Sequence, residues 1–290
     1  MSQQPITVVL GSGAIAVAIA RRVSSGKHIL LADLRLENAE KAAQALREAG
    51  FACSTIEMDV SSRKSVQKVA DHAVSLGAVQ YVINSAGVSP SQAAPQTVCK
   101  VDLYGTALVL EIFGGVIAEG GAGVMISSQS SHRLPPLSER DLRDLATTPT
   151  EQLLDLPIVK EIDDSLRAYQ IAKKANALRV QMEAVRWGRR GARVNCISPG
   201  IIFTPLALDE LNSPERGAFY RDMLASIPAK RGGTPDEVAA LAEVVLTGGY
   251  ITGSDFLIDG GATAKFFWGG MKCHKKQRLP QQPLFFDALQ

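Results

Sequence analysis

The chain has 290 residues, of which 46% are hydrophobic and 21% charged, with a formal net charge of +2. This is an ordinary composition for a soluble globular protein, with ample length to bury a core as one large domain or two small ones. The near-zero charge argues neither for nor against a nucleic-acid partner, and none is expected.

Four cysteines, Cys53, Cys99, Cys196 and Cys273, lack CxxC or Cys/His ligand spacing. They are read as reduced thiols rather than a disulfide frame, and no metal site is expected. No basic leader precedes a long apolar run, and no apolar segment nears about 20 residues. The expectation is a cytoplasmic protein with neither signal peptide nor membrane span.

In chain order, residues 6–10 form a short apolar run that predicts a buried parallel strand. It leads into Gly11-Ser12-Gly13-Ala14-Ile15-Ala16, a GxGxxA turn, and Val17, Ala20 and Val23 continue at helical spacing. Small residues here let a backbone approach a pyrophosphate at a helix N-terminus, where free N–H groups point at the anion. A second strand, 28–32, ends in Asp33, about 20 residues on, where a carboxylate binds adenosine ribose hydroxyls. Asp33 favours NAD over NADP because it repels a 2′-phosphate, although Arg35 lies two residues away.

Helix 37–49, strand 51–58, helix 61–76 and strand 79–83 follow. Strand–helix alternation predicts an α/β chain with a doubly wound parallel sheet and helices on both faces. An eight-unit barrel needs similar length, but the glycine turn after the first strand favours the open sheet.

The segment 163–188 reads as one amphipathic helix, with Asp163, Asp164 and Ser165 as capping types. Within it Tyr169 and Lys173 are four apart and leave the same face. Free tyrosine titrates near about 10, and reaching about 7 takes roughly 4 kcal/mol. One positive charge about 4 Å away, at an effective dielectric of about 20, supplies that much. The bland alternative is an exposed helical pair. Downstream, 192–197 predicts a strand, 206–227 a helical region, 235–246 a helix capped by Thr234, and 256–258 the last strand. Phe203, Leu206, Leu208, Phe219, Tyr220 and Met223 line an apolar pocket or serve as core.

Together these pieces resemble the short-chain dehydrogenase/reductase family. The matching residues are Gly11 and Gly13, Asp33, Asp59-Val60, Asn84-Ser85-Ala86-Gly87, Ile126-Ser127-Ser128, Tyr169-x-x-x-Lys173, Ser198-Pro199-Gly200 with Thr204-Pro205, and Asp259-Gly260-Gly261, in the family's order.

The resemblance implies a Rossmann fold and an NAD(P)-dependent oxidoreductase that interconverts a secondary alcohol and a carbonyl. Tyr169 would be its general acid/base. Lys173 would lower the Tyr169 pKa and hold the nicotinamide ribose, and Ser128 would hydrogen-bond the reacting oxygen. Asp102 aligns with the family's helix asparagine and completes the catalytic set. The implied cofactor set is Gly11, Ser12, Gly13, Ile15, Asp33, Asp59, Val60, Asn84, Ala86, Gly87, Tyr169, Lys173, Pro199, Gly200, Ile202 and Thr204. The implied partners are a small alcohol or carbonyl substrate and copies of the same chain, as a dimer or tetramer.

Three departures stand out. The glycine turn is one residue short, with Ala14 and Ala16 replacing later glycines. An aspartate, Asp102, replaces an asparagine, and its carboxylate shifts the Lys–Tyr electrostatics. Ser128 and Tyr169 are 41 positions apart, which implies an insert at about 131–162. The insert is expected to wall the substrate pocket or cap one edge of the site. It falls between the two long helices, near 97–118 and 163–188, that relatives use to dimerise, which puts that interface in doubt. The domain is expected to span 1–264, with 265–290 a solvated tail; the sharper alternative is that its aromatics dock on a neighbouring subunit. A non-catalytic dinucleotide sensor and a nucleotide-sugar epimerase or dehydratase are the alternatives.

Overall fold

The structure, a computed structural model, describes residues 4–205, 207 and 217–270, with only the backbone of Phe219 and Tyr220. Seven strands form one sheet in the order β3-β2-β1-β4-β5-β6-β7, and every neighbouring pair is parallel. The strands are β1 (Pro5–Leu10), β2 (His28–Asp33), β3 (Ala52–Glu57), β4 (Ala78–Asn84), β5 (Ala122–Ile126), β6 (Arg193–Pro199) and β7 (Asp255–Ile258). The doubly wound expectation stands. The direction of winding reverses between β1 and β4, and in such sheets ligands bind beyond the strand carboxyl ends at that point.

Each face carries its own apolar layer. Helices α1 (Ala14–Val23) and α2 (Leu36–Glu48) bury Ile19, Ala20, Ala43 and Leu46 on one face. On the other, α3 (Arg63–Leu76) packs Val66, Val69 and Ala73 beside the two long helical stretches. The first of these is not the single helix expected over 97–118. It runs as α4 (Pro95–Val98), a π-helical turn over Cys99–Gly105, and α5 (Thr106–Val116). Widened turns of this kind re-aim side chains and often mark functional sites.

The insert has structure of its own: a 3₁₀ turn Gln129–Arg133, α6 (Glu139–Thr147), a 3₁₀ turn Thr150–Asp155 and α7 (Pro157–Lys160). Most of it does not wall a pocket. Leu145, Leu153, Val159 and Ile162 are buried against Val98, Leu103, Ala107, Ile171 and Ala175. These residues belong to the α4–α5 stretch and to α8 (Ser165–Gly188). The buried Arg179 of α8 donates to the carbonyls of Leu145, Ala146 and Thr148 at 3.3, 3.4 and 2.9 Å, which satisfies backbone that has left regular structure. Thr150 donates to Glu111 at 2.6 Å. The insert therefore covers part of the surface of both long helical stretches.

Further on, α9 (Gly217–Ser226) and α10 (Pro235–Thr247) follow β6. Thr234 and Glu237 close a reciprocal capping box on α10. After β7, α11 (Ala262–Trp268) runs across the expected boundary at 264, so ordered chain continues past the point assigned to the tail. The remaining tail, with its proposed docking on a neighbouring subunit, lies outside the described residues, as do Leu206 and Leu208.

The insert makes a stability test. Leu153 is fully buried, so Leu153→Ala is expected to cost about 2–5 kcal/mol in urea unfolding. A loss below about 1 kcal/mol would show that the insert contributes little to the fold.

Candidate active site

Where β5 ends, Ile126, Ser127 and Ser128 enter a cleft of about 900 Å³ that Lys173, Tyr169, Asp102 and Gly87 also line. The α8 helix starts at Ser165 because Asp164 caps it, its carboxylate accepting the Arg167 N–H at 2.6 Å. Tyr169 and Lys173 follow one turn apart, with the Lys173 ammonium 5.3 Å from the Tyr169 ring centroid. Ser128 is held by its neighbour Ser130: the two hydroxyls lie 2.7 Å apart, and the Ser130 N–H donates to the Ser128 hydroxyl at 3.2 Å. Ser127 does not face the chemistry in the same way, because its hydroxyl donates to the Lys173 carbonyl at 2.8 Å.

The π-helical turn delivers Asp102 to the floor of the cleft. Asp102 is fully buried and its Oδ1 lies 3.0 Å from Lys173 Nζ. Its Oδ2 accepts the Val88 N–H at 3.2 Å, and Lys173 Nζ also donates to the Ile126 carbonyl at 3.2 Å. The aspartate is thus an ion-pair partner rather than a solvated helical residue. Gly87 makes room for it: a Cβ there would fall 2.5 Å from Asp102 Oδ1.

Burial pushes the Asp102 carboxyl up, while the Lys173 charge and the Val88 N–H pull it back. Burial works to strip the Lys173 proton, yet Asp102 and then Tyr169 outweigh it and hold the ammonium's pKa above its ordinary value. Each charge is tolerable in this place because of the other. The neighbouring thiols stay protonated: burial and then Asp102 push Cys99 up to about 11, and burial raises Cys196.

The other predicted positions form a second group. Ile15, Pro199, Gly200, Ile202 and Thr204 line the same cleft. Gly11, Ser12, Gly13, Asp33, Asp59, Val60, Asn84 and Ala86 lie outside its lining. Gly11 has φ of +82°, and a Cβ on it would meet Ala86 N at 2.5 Å, so the β1 turn packs directly on the chain leaving β4. Gly13, by contrast, has nothing within 4 Å of the place of a Cβ. It begins α1 without a side-chain cap, leaving free N–H groups beside open space. Ser12 Oγ is buried there without a partner. This cradle fits an anionic pyrophosphate.

Asp33 sits at the β2 end and accepts the Ser12 N–H at 2.8 Å and the Arg35 N–H at 3.1 Å. Asp59 is committed locally, accepting the Ser61 N–H at 2.9 Å and the Ser61 hydroxyl at 2.7 Å. Val60 is buried beneath Gly105. Asn84 Nδ2 reaches Thr106 at 3.4 Å, and its Oδ1 is left without a partner.

Of the six apolar pocket candidates, Met223 lines the cleft, while Phe203 packs over Gly232. Reading the sequence missed Gln129, Ser130, Arg133 and Phe266, all of which line the cleft. The signal for the first three was their position next to Ser128. Phe266 had none, because composition assigned it to a tail.

The chain matches the family model described as Enoyl-(Acyl carrier protein) reductase over residues 10–139 and 159–263. The break in that match falls inside the insert. It is 39% identical over 269 residues to the short-chain dehydrogenase/reductase bsc3 of Alternaria brassicicola, covering 91% of this chain and 97% of that one. It is 30% identical to D-threitol dehydrogenase of Mycolicibacterium smegmatis, covering 90% and 93%. A solved short-chain dehydrogenase/reductase from Serratia marcescens superposes with a TM-score of 0.70 at 22% identity, covering 90% of this chain and 98% of that one. No described helix is long and apolar enough to cross a membrane.

The two glycines of the β1 turn should separate packing from open space. Gly11→Ala is expected to lower stability by at least about 1–3 kcal/mol through its strained φ alone, read by urea or thermal unfolding. Gly13→Ala is expected to stay within about 0.5 kcal/mol of the parent. Equal losses at both positions would refute this account of the turn.

Proposed function

From the premise that the chain belongs to the short-chain dehydrogenase/reductase family, we propose that Tyr169 is the general acid/base of an NAD-dependent interconversion of a secondary alcohol and a ketone. At the coarser level the protein is an oxidoreductase acting on CH–OH groups of a small molecule, with a nicotinamide dinucleotide. The observation that carries the finer reading is the convergence of Ser128, Tyr169 and the Lys173–Asp102 pair on one cleft.

The dinucleotide, when bound, supplies or accepts the hydride. In reduction the Tyr169 hydroxyl gives a proton to the carbonyl oxygen, and in oxidation the phenolate takes one from the alcohol. The Ser128 hydroxyl donates to the same oxygen as charge develops. Lys173 stabilises the phenolate and, with Gly11, Ser12, Gly13 and Ile15, helps to hold the cofactor. Asp59, Val60, Asn84, Ala86, Gly87, Pro199, Gly200, Ile202 and Thr204 complete that set. Asp33 carries the preference for NAD, since a carboxylate there opposes a 2′-phosphate. Any homo-oligomer forms through a face other than the one the insert covers.

Tyr169→Phe tests the central assignment. It is expected to lower kcat for ketone reduction by about 100- to 10,000-fold, followed at the nicotinamide absorbance across a ketone panel. Retention of more than about a tenth of the rate would remove Tyr169 from the proton-transfer step.

The Asp102 carboxylate offsets the charge that Lys173 presents to Tyr169. Removing it in Asp102→Asn takes a negative charge from beside both groups, so the first proton leaves the Lys173–Tyr169 pair at lower pH, and the form in which Lys173 keeps its proton against a Tyr169 phenolate appears earlier. Oxidation needs the phenolate, so its rate-versus-pH limb is expected to move about one unit toward acid. The other titratable groups facing the pair, Cys99 and Cys196, stay neutral thiols and do not cancel the effect. A limb that stays put or moves toward alkali would show that Asp102 does not act through the Lys–Tyr charge.

A further inference from the structure

Arg133 closes the 3₁₀ turn Gln129–Arg133, which starts directly after Ser128, and it lines the cleft that holds Ser128, Tyr169 and Lys173. The turn is firmly seated. Ser131 donates to the Ser128 carbonyl at 2.9 Å, and His132 lies 3.0 Å from the Asp255 carboxylate of β7. Arg133 is thereby held at a fixed offset from the group that would meet the reacting oxygen.

Its guanidinium is not spent on the fold. Nε is sealed from solvent and has no hydrogen-bond partner among the described residues. The guanidinium carbon stands 5.9 Å from the centre of the Phe266 ring. Burial works against the charge, and among neighbouring groups Asp259 is the one that supports it. Both oxygens of Asp259 are already engaged, accepting the Gly261 N–H at 2.9 Å and the Thr263 N–H at 2.7 Å. Of the two carboxylates that line the cleft, Asp164 is the cap of α8 and Asp102 is paired with Lys173. Among the described residues the half-desolvated guanidinium has no paired anion, which is costly to keep, and its planar fork matches an oxyanion.

We infer that Arg133 is the anion-recognising residue of the substrate subsite, so that the alcohol or ketone processed here carries a carboxylate or phosphate away from its reacting carbon. This rests on the oxidoreductase reading above. Leu166, Met223 and Phe266 line the same cleft together with polar side chains such as Gln92, Gln129 and Gln170. The substrate then carries a reacting CH–OH or carbonyl group and a separate anionic group. Arg133 is a specificity residue rather than a participant in proton or hydride transfer.

The test uses the full chain with NADH and methyl ketones that end in a carboxylate, from levulinate upward in chain length, each paired with its methyl ester. Phosphate-ended ketones paired with their neutral alcohols form a second arm that distinguishes the two anions. Both kcat/KM and calorimetric affinity are read. The acid is expected to exceed its ester by about tenfold to a hundredfold, the size of a charge-assisted hydrogen-bonded contact. Arg133→Gln should lower the acid's values at least about tenfold more than the ester's, and Arg133→Lys should recover part of the difference.

Equal losses on acid and ester, or an equal weakening of NADH affinity, would overturn the subsite. So would ester turnover with no preference for either anion in the parent protein, which leaves the oxidoreductase reading standing. Acid-selective binding that depends on Arg133, with no turnover of any ketone, would uphold the subsite and count against that reading.

Discussion

The Asp102–Lys173 contact is the interaction on which the site depends, because it ties four separate pieces of chain to one point. Asp102 comes from the π-helical turn, Val88 from the chain leaving β4, Ile126 from the end of β5 and Lys173 from α8. A buried ion pair is a weak source of stability, since desolvation offsets most of its attraction. It is nonetheless demanding of geometry, because loss of either partner strands a charge in the interior. The absence of a side chain at Gly87 and the widened turn over Cys99–Gly105 are both consistent with that demand. Tyr169 consequently faces a compensated ammonium, 5.3 Å from its ring centre.

The sheet explains why this point lies next to a nucleotide cradle. Leu10 of β1 is in register with Ala32 on one side and Asn84 on the other, so the chain exits of three strands share one edge. Gly11 donates to the Ala32 carbonyl and Ser85 to the Leu10 carbonyl, each at 2.8 Å. Those two bonds fix the glycine turn against the segment that leads to Gly87 and Val88. Glycine turn and ion pair are therefore joined by only a few residues of rigid backbone, the kind of support a positioned reaction requires.

What could be read from the sequence was local. The run before Gly11, the spacing to Asp33 and the Tyr169/Lys173 step are all written within one turn or one βαβ unit, and periodicity carries them. The partner of Lys173 lies far along the chain; the family resemblance pointed to Asp102 as a carboxylate near the Lys–Tyr pair, while its direct contact with Lys173 became visible only in the structure. The π-helical turn that aims Asp102 left no trace in the apolar pattern, because a single widened turn does not break helical periodicity. Phe266 was hidden for a different reason. The basic stretch beyond it dominated the composition of the last segment, while Asp259 and the two glycines after it start a helix just before that stretch.

The insert was legible as extra length between Ser128 and Tyr169 but not as a packing unit. Its apolar residues are short and scattered, and their meaning lies in the surface that receives them. Leu145, Leu153 and Val159 cover helix faces, and the buried Arg179 satisfies the irregular backbone above them. Anchored at that end, the insert can begin in the opposite direction with a tight turn that carries Arg133 into the cleft beside Ser128. One stretch of chain thus does two physically different things. Its distal part removes apolar helix surface from water, and that burial offsets the conformational entropy of ordering the whole segment. Its proximal part holds a cation that has no paired anion among the described residues, where a flexible loop could not keep it.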